Sequence, residues 1–513
     1  LGAQLSVADT QVEGFRPQSA AHRTLGNLRL GWDQGPDRVT MVLSSQDQHA
    51  QDPLGLTRAQ FDADPYQTTA QAAQFDTRKA ISQTQAGLHW RHRFEGDGAL
   101  RETAVMVYQG VRSVTQWQAI APAVQTPVRH GGGVVDFDRG YGGVDARGTW
   151  RLGPIDAVVG VSIETQQDDR RGFENFSGTG AAQVLGVTGK LRRDEVNRAT
   201  TREAFAQLEW PLSDAVVLTG GARGGRVSLS TRDQFLSNGD DTGSLAFHYT
   251  NPVLGLRWRV QPGWALHASA ARGFESPTLG ELAYRPDGQA GFNNTLQAQT
   301  SRQVELGSKW RQSGLDIDAT VFAVDTDHEI GVQTNSGGRS TYQNVGRTRR
   351  EGAELSLQWK PAAQWRAQLA ASWLQASYRD GFTTCTASPC AVPNVVVAAG
   401  NRIVGTQAAS AWAELAWQPG GLGEWAVEWR AVGRTQANDT NTEQARGYAL
   451  ANLRWRIQIA LGGGDALELL ARVDNAFDRV HAGSVIVNDG NGRFYEPGTP
   501  RNLLLSARWQ HRF

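Results

Sequence analysis

The feature that most constrains this chain is a two-residue alternation that returns throughout its length. Trp365, Ala367, Leu369, Ala371 and Trp373 interleave with Arg366, Gln368 and Ser372. Leu315, Ile317, Ala319, Val321 and Ala323 interleave with Asp316, Asp318 and Thr320. Trp425, Val427, Trp429 and Ala431 interleave with Glu424, Glu428 and Arg430, and Leu453, Trp455, Ile457 and Ile459 with Arg454, Arg456 and Gln458. The last segment, RNLLLSARWQHRF, sets Leu503, Leu505, Ala507, Trp509 and Phe513 against Asn502, Ser506, Arg508, Gln510 and Arg512, with Leu504 and His511 out of phase. Successive side chains of a strand point to opposite faces, so each segment predicts a strand with one apolar and one polar face. One such strand fits a soluble sandwich equally well. A whole chain of them, with no helical segment to pack against, predicts an all-β protein.

The connections separate sandwich from barrel. Short links such as FEGDGAL, PLSDA, VQPG, RQSG, KPAAQ and LGGGD take turns with long ones. The long ones include DPLGLTRAQFDADPYQTTAQAAQFDTRK, QQDDRRGFENFSGTGAAQVLGVTGKLRRDE, GFESPTLGELAYRPDGQAGFNNTLQAQT and CTASPCAVPNVVVAAGNRIVG. In an up-and-down meander this puts every short turn at one rim and every long loop at the other. That is the asymmetry of an outer-membrane barrel. About twenty strands fit the length, near the 22 of plugged outer-membrane transporters.

Composition agrees. The 513 residues carry 51 basic and 51 acidic side chains, so no basic excess points to nucleic acid. No apolar run approaches the ~18 residues of a membrane helix, and the mean hydropathy is −0.43. Alternating barrel strands keep that average low. The 17 Trp suit rings placed at membrane interfaces, and the 58 Gly suit turns and bends. Cys385 and Cys390 stand among turn formers with too few further ligands for zinc. A small disulfide loop is preferred over two free thiols, and implies an oxidising compartment. No HExxH, GxSxG or dinucleotide fingerprint is present, so an enzyme is not expected, and no cofactor.

Several stretches resemble the TonB-dependent receptor family. ARGFESPTLGELAYRPDG is similar to its RGF-x-x-PT-x-x-EL segment, and NNTLQAQTSRQVELGSKW to its N-x-x-L…ELG segment, with Gln299 where Glu is usual. YQNVGRTRREGAELSLQW resembles NVG…GxEL. ARVDNAFDRVH resembles V-x-N-x-FD-x-x-Y, with His481 in place of the aromatic, and GRFYEPGTPRNLLLSARWQHRF resembles the closing signature. The resemblance covers the second half in family order. VADTQVEGFRPQSAAHRTLGNLRLGW extends it to the family's third and fourth strands.

The resemblance implies a barrel spanning residues 1–513, with the first two strands, the plug and the TonB box lying outside this sequence. It implies a multi-pass protein of a Gram-negative outer membrane, surrounded by lipid and inserted by the barrel assembly machinery with Phe513 as its assembly signal. It implies uptake of a ferric siderophore or similar chelate, energised by the TonB–ExbB–ExbD complex through the plug. Ferric citrate is a close second. The DPLGLT…DPYQ loop also resembles that of receptors for pyrroloquinoline quinone. A plugless passive pore is the rival from another class.

Ligand contacts are expected from long loops held by a rigid scaffold, with Arg for bidentate recognition of anions and aromatics for stacking. Tyr66, Arg78 and Lys79 fall in the first long loop, and Arg170, Arg171 and Phe173 in QDDRRGFENF. Tyr284 and Arg285 fall in LAYRPDG, and Tyr378 and Arg379 just before the cysteines. Ordinary loop solvation is the competing reading for each.

Overall fold

A computed structural model describes residues 1–289, 291–386 and 392–511. Twenty long strands form one antiparallel sheet, from Gly2–Val12 to Asn502–His511, each bonded to the next long strand in chain order. Among the described residues the two outermost strands, Gly2–Val12 and Asn502–His511, do not pair with each other. No helix of the described residues is long and apolar enough to cross a membrane. The expected alternation of links is present. The strands Asp37–Gln51 and Arg78–Arg93 flank a long connection with two short helices, Arg58–Ala63 and Ala70–Gln74. Trp264–Glu275 follows Gly243–Gln261 after two residues.

The ladder registers sort side chains onto two faces. Trp365 stands opposite Trp417, Trp417 opposite Trp425, and Trp425 opposite Trp455, all on the outward face near the short turns. Their rings meet at centroid distances of 5.9 Å for Trp365–Trp417 and 6.1 Å for Trp425–Trp455. Trp32, Trp90, Trp210, Trp258 and Trp359 hold the same level on their strands, each 37–47% exposed. This is an aromatic girdle at one membrane interface. The abundance of Trp therefore has a location.

The inward face is polar and carries a paired network of charges. Arg454 bonds Glu414 at 2.7 Å and Glu424 at 3.1 Å, Arg366 bonds Glu414 at 2.9 Å, and Arg472 bonds Glu428 at 2.9 Å. Glu414 and Glu428 are buried. Burying such carboxylates is tolerable only when they are paired and hydrogen-bonded.

Many wall glycines make room for a ring on the next strand. A Cβ on Gly110 would lie 2.3 Å from Tyr141 Cζ, one on Gly160 2.5 Å from Phe205 Cζ, and one on Gly352 2.4 Å from Phe322 Cζ. The family-like segments also acquire a geometry. Gln299 Nε2 donates to Glu275 Oε2 at 2.8 Å while its Oε1 accepts from Ile330 N at 2.7 Å. A Glu at 299 would set two carboxylates against each other, so the departure from the family pattern has a local cause. Asn475, with φ +49, donates to Arg479 O at 3.0 Å and accepts from Arg479 N at 2.8 Å. His481 packs on Tyr448 with ring centroids 4.3 Å apart, taking the packing role of the expected aromatic.

Gly110→Ala forces a methyl into the Tyr141 ring, which should destabilise the wall by about 1–3 kcal/mol. Urea unfolding in detergent checks this, with Gly220→Ala, which meets nothing within 4 Å, as the neutral control.

Candidate functional site

The long loops close over the mouth of the barrel. The central element is the hairpin Ile330–Ser336 and Arg339–Asn344, which joins two neighbouring barrel strands. Its tip, Gly337 and Gly338, has φ +60 and +73, a conformation that favours glycine. Glu329 anchors its base, accepting from Arg350 Nη2 at 2.7 Å and Thr348 Oγ1 at 2.7 Å. The tip reaches the connection between Leu100–Trp117 and Val134–Leu152, far round the ring. There a Cβ on Gly337 would meet Val124 Cγ1 at 2.6 Å, and one on Gly338 would meet Ile120 Cδ1 at 2.3 Å.

His130 fixes the tip. Gly132 N donates to its Nδ1 at 3.0 Å, so Nε2 carries the proton and donates to Gly337 O at 2.6 Å. Other loops hold the flanks. Asn335 Nδ2 donates to Asn488 O at 2.9 Å, Gln343 Nε2 to Thr383 O at 2.7 Å, and Asn293 Nδ2 to Tyr342 O at 3.3 Å. Tyr342 also packs on the cluster of Leu229, Leu282, Phe292 and Leu296.

Beneath this roof lies a cationic cradle. The Tyr284 ring sits between two guanidiniums, Arg193 at 4.6 Å and Arg339 at 4.3 Å from its centroid. Burial raises the Tyr284 phenol pKa, but the charges of Arg193, Arg339 and Arg170 outweigh it, so the net shift is downward. Arg193 and Arg170 share Glu195, each at 3.3 Å. Arg339 donates to Arg129 O, and Arg129 to Gly288 O at 3.0 Å. Among the described residues neither Arg129 nor Arg339 has a carboxylate within 4.0 Å. Arg339 Nε is buried without a hydrogen-bond partner. Both line a cavity of about 310 Å³ with Tyr284, Arg285, Asp241 and Asp287. Arg285 is spent on Asp287 at 3.1 Å.

The expected site residues are sorted by this geometry. Arg170, Tyr284 and Arg285 come together at the cradle. Arg170, Arg171 and Phe173 are not in a loop, because the strand Ile155–Phe173 runs through them. Alternation then sends Arg171 to the outer face, where it meets Asp138 at 3.4 Å and Asp136 at 3.5 Å. Phe173 takes the same outward parity, opposite Val134 and Leu191. Arg78 and Lys79 likewise open the strand Arg78–Arg93 instead of lying in a loop. Arg78 covers the outward Trp117 ring at 3.9 Å.

Tyr66 stays in its loop and meets Phe15 edge-on at 5.9 Å; burial, then Asp478, push its phenol up. Tyr378 ends a barrel strand and is buried, its hydroxyl donating to Asp439 Oδ1 at 2.6 Å. Arg379 is exposed beside it. Asp439 is itself buried and also accepts from Asn488 Nδ2 at 2.9 Å. Burial raises its carboxyl above the usual range, opposed by those two hydrogen bonds. Tyr378 is thus a tie between three loops. Cys385 is buried; its expected partner Cys390, and Phe513, lie outside the described residues.

Arg129, Arg193 and Arg339 escaped the reading of the sequence. The pair Gly337–Gly338 between NS and RS was the available signal, since two glycines between polar strands mark a tight hairpin.

The model of the TonB dependent receptor-like β-barrel matches residues 15–476. The chain therefore belongs to the TonB-dependent receptor β-barrel family, a family of receptors and not of enzymes. It is 26% identical over 178 residues to the pesticin receptor of Yersinia enterocolitica and 25% to that of Yersinia pestis. Those matches span 33% of this chain and 24% of either receptor, about a quarter of the relatives' length. Among solved structures, the unliganded ferric citrate transporter FecA superposes with a TM-score of 0.77 at 16% identity, covering 99% of this chain and 73% of that one. The ferric yersiniabactin uptake receptor FyuA from Yersinia pestis gives 0.75 at 15% identity, over 99% and 74%. These likenesses show the fold.

Two outcomes follow for the roof. Tyr378→Phe leaves the buried Asp439 short of a donor and should cost about 1–3 kcal/mol, seen as faster amide exchange in the loops carrying Asn401, Asp439 and Asn488. His130 is lowered by burial, then by Arg339, Arg192 and Arg193, with the Gly337 bond opposing. A lowered His value means the docked tip loses stability as pH falls below the ordinary value of about 6.5. Opening at Gly337 and Gly338, read as exchange corrected for the intrinsic rate at each pH, should therefore rise at pH 5 relative to pH 7.5, and His130→Gln should flatten that change.

Proposed function

We propose that this chain is the barrel of an outer-membrane receptor that captures a ferric siderophore or similar anionic metal chelate at its loop end. Uptake would be energised by TonB with ExbB and ExbD, acting through a plug inside the barrel. Two guanidiniums, Arg129 and Arg339, which face a cavity without a carboxylate of their own, are the observation that carries the ligand reading. Cations without a carboxylate in ion-pair reach favour an anion that brings its own charge, and guanidiniums suit carboxylate or hydroxamate-type oxygens in pairs. Tyr284 adds a ring for stacking, already flanked by Arg193 and Arg339. The cavity of about 310 Å³ suits part of a chelate. The family supports a receptor role, and the names of FecA and FyuA speak of ferric citrate and ferric yersiniabactin. Two strand edges left unpaired, and the longer chains of those two proteins, support further strands and a plug in the whole receptor.

Fluorescence titration with ferric citrate, a ferric catecholate, a ferric hydroxamate and pyrroloquinoline quinone tests the ligand class. Arg129→Gln and Arg339→Gln should each weaken the best chelate by about ten-fold, the scale of one lost charge-assisted contact. Unchanged affinity in both variants would remove the cradle from the site. Passage of neutral sugars through the reconstituted full-length receptor would favour the pore.

A further inference from the structure

A second charged surface lies on the outside of the wall, away from the mouth. The register sets Arg202 opposite Arg226, Arg226 opposite His248, and Arg272 opposite Arg302. All five side chains are exposed and share the outward face. Like charges directly opposite each other on neighbouring strands repel. Among the described residues none of Arg202, Arg226 and Arg272 has a carboxylate within 4.0 Å. Arg302 reaches Asp327 at 4.0 Å and remains 77% exposed, while Asp325, its cross-strand neighbour, is engaged by Arg349 at 3.3 Å. The wall thus holds a basic patch that its own residues neutralise only at Arg302.

Directly beneath the patch, towards the Trp girdle, the same face carries an apolar groove of about 640 Å³. Its rungs read Leu254–Ala270–Val304 and Leu256–Ala268–Leu306 across three strands. The two alanines leave a channel between bulkier neighbours. Arg272 stands two residues above Ala270, and Arg302 two residues above Val304, so charge and groove are continuous. An apolar slot capped by exposed guanidiniums, Arg272 without a carboxylate within 4.0 Å and Arg302 with one only at 4.0 Å, has the shape of one class of molecule, an amphiphile with an anionic head.

We propose that this face seats a phosphorylated lipid of the leaflet at the long-loop end. Its acyl chain lies in the Ala268–Ala270 groove. Its phosphate bridges Arg272 and Arg302, with Arg226 and Arg202 holding further anionic groups of the same headgroup layer. Charge complementarity selects this occupant, since a guanidinium pair takes a phosphate in its fork. The site is separate from the cradle, and rests on the membrane reading of the fold alone.

The test uses the full-length receptor in phosphatidylcholine nanodiscs. A diphosphorylated glycolipid, the same lipid stripped of phosphate, and inorganic phosphate are offered separately, and native mass spectrometry counts what is retained. The phosphorylated lipid should be held and the stripped one not. Arg272→Gln with Arg302→Gln should lower retention by about ten-fold or more. Ala270→Trp fills the groove, and should weaken the lipid while leaving inorganic phosphate unaffected. Equal retention of both lipids, unchanged retention in the double variant, or inorganic phosphate competing at the lipid's own concentration would each overturn the proposal. Failure of the unaltered chain to enter nanodiscs would overturn the membrane reading and this site together, whereas loss of chelate binding alone would leave it standing.

Discussion

Everything in this molecule depends on the antiparallel ladder and its side-chain period of two. A strand that crosses lipid cannot leave backbone groups unpaired, so each strand must bond its neighbours along its whole length. Once that ladder is in place, every residue's direction is fixed by parity. The Trp365–Trp417–Trp425–Trp455 line and the Arg366–Glu414–Arg454–Glu428 network come from the same four strands, on opposite parities. Aromatic rings anchor the outside, while charged side chains, many of them paired, keep the inside hydrophilic.

The rigid wall then allows the loops to be built as a second structure. The Ile330–Asn344 segment is the keystone, because its tip and flanks bond three different connections while Glu329 at its base is held by the next barrel strand. Closure continues over the unpaired edge strands. There Leu56 bridges to Tyr495, Arg58 lies 4.0 Å from the Tyr495 ring, and Arg16 donates to Gln67 O at 2.8 Å. Burial and the Glu443 contact push the Tyr495 phenol up to about 12. Under this cover the cradle gathers five guanidiniums, of which Arg129 and Arg339 have no carboxylate within 4.0 Å among the described residues. Enclosure of the cradle and the cover over the edge strands are thus two consequences of one loop arrangement.

How much was legible follows from where lipid acts. Within the bilayer the outward face must be apolar, so alternation writes the strand into the sequence, and the short and long links could be assigned to opposite ends. Above the bilayer that demand stops while the ladder continues. QDDRRGF carries no apolar alternation, yet Asp168 to Phe173 remain paired on both sides, which is why Arg170, Arg171 and Phe173 read as loop. Arg78 and Lys79 were displaced for the same reason. The cradle was half legible. Tyr284 and Arg285 were visible in a long loop, but Arg129, Arg193 and Arg339 are brought to Tyr284 only by long-range folding.

The central claim is that one wall separates lipid from a polar interior by parity alone. Spin labels placed singly at 203 to 208, in the strand Leu191–Pro211, test it most directly in reconstituted vesicles. Collision with oxygen, which concentrates in lipid, should peak at 204, 206 and 208. Collision with a water-soluble nickel complex should peak at 203, 205 and 207. Two equally water-accessible faces would contradict the account and return the chain to a soluble sheet.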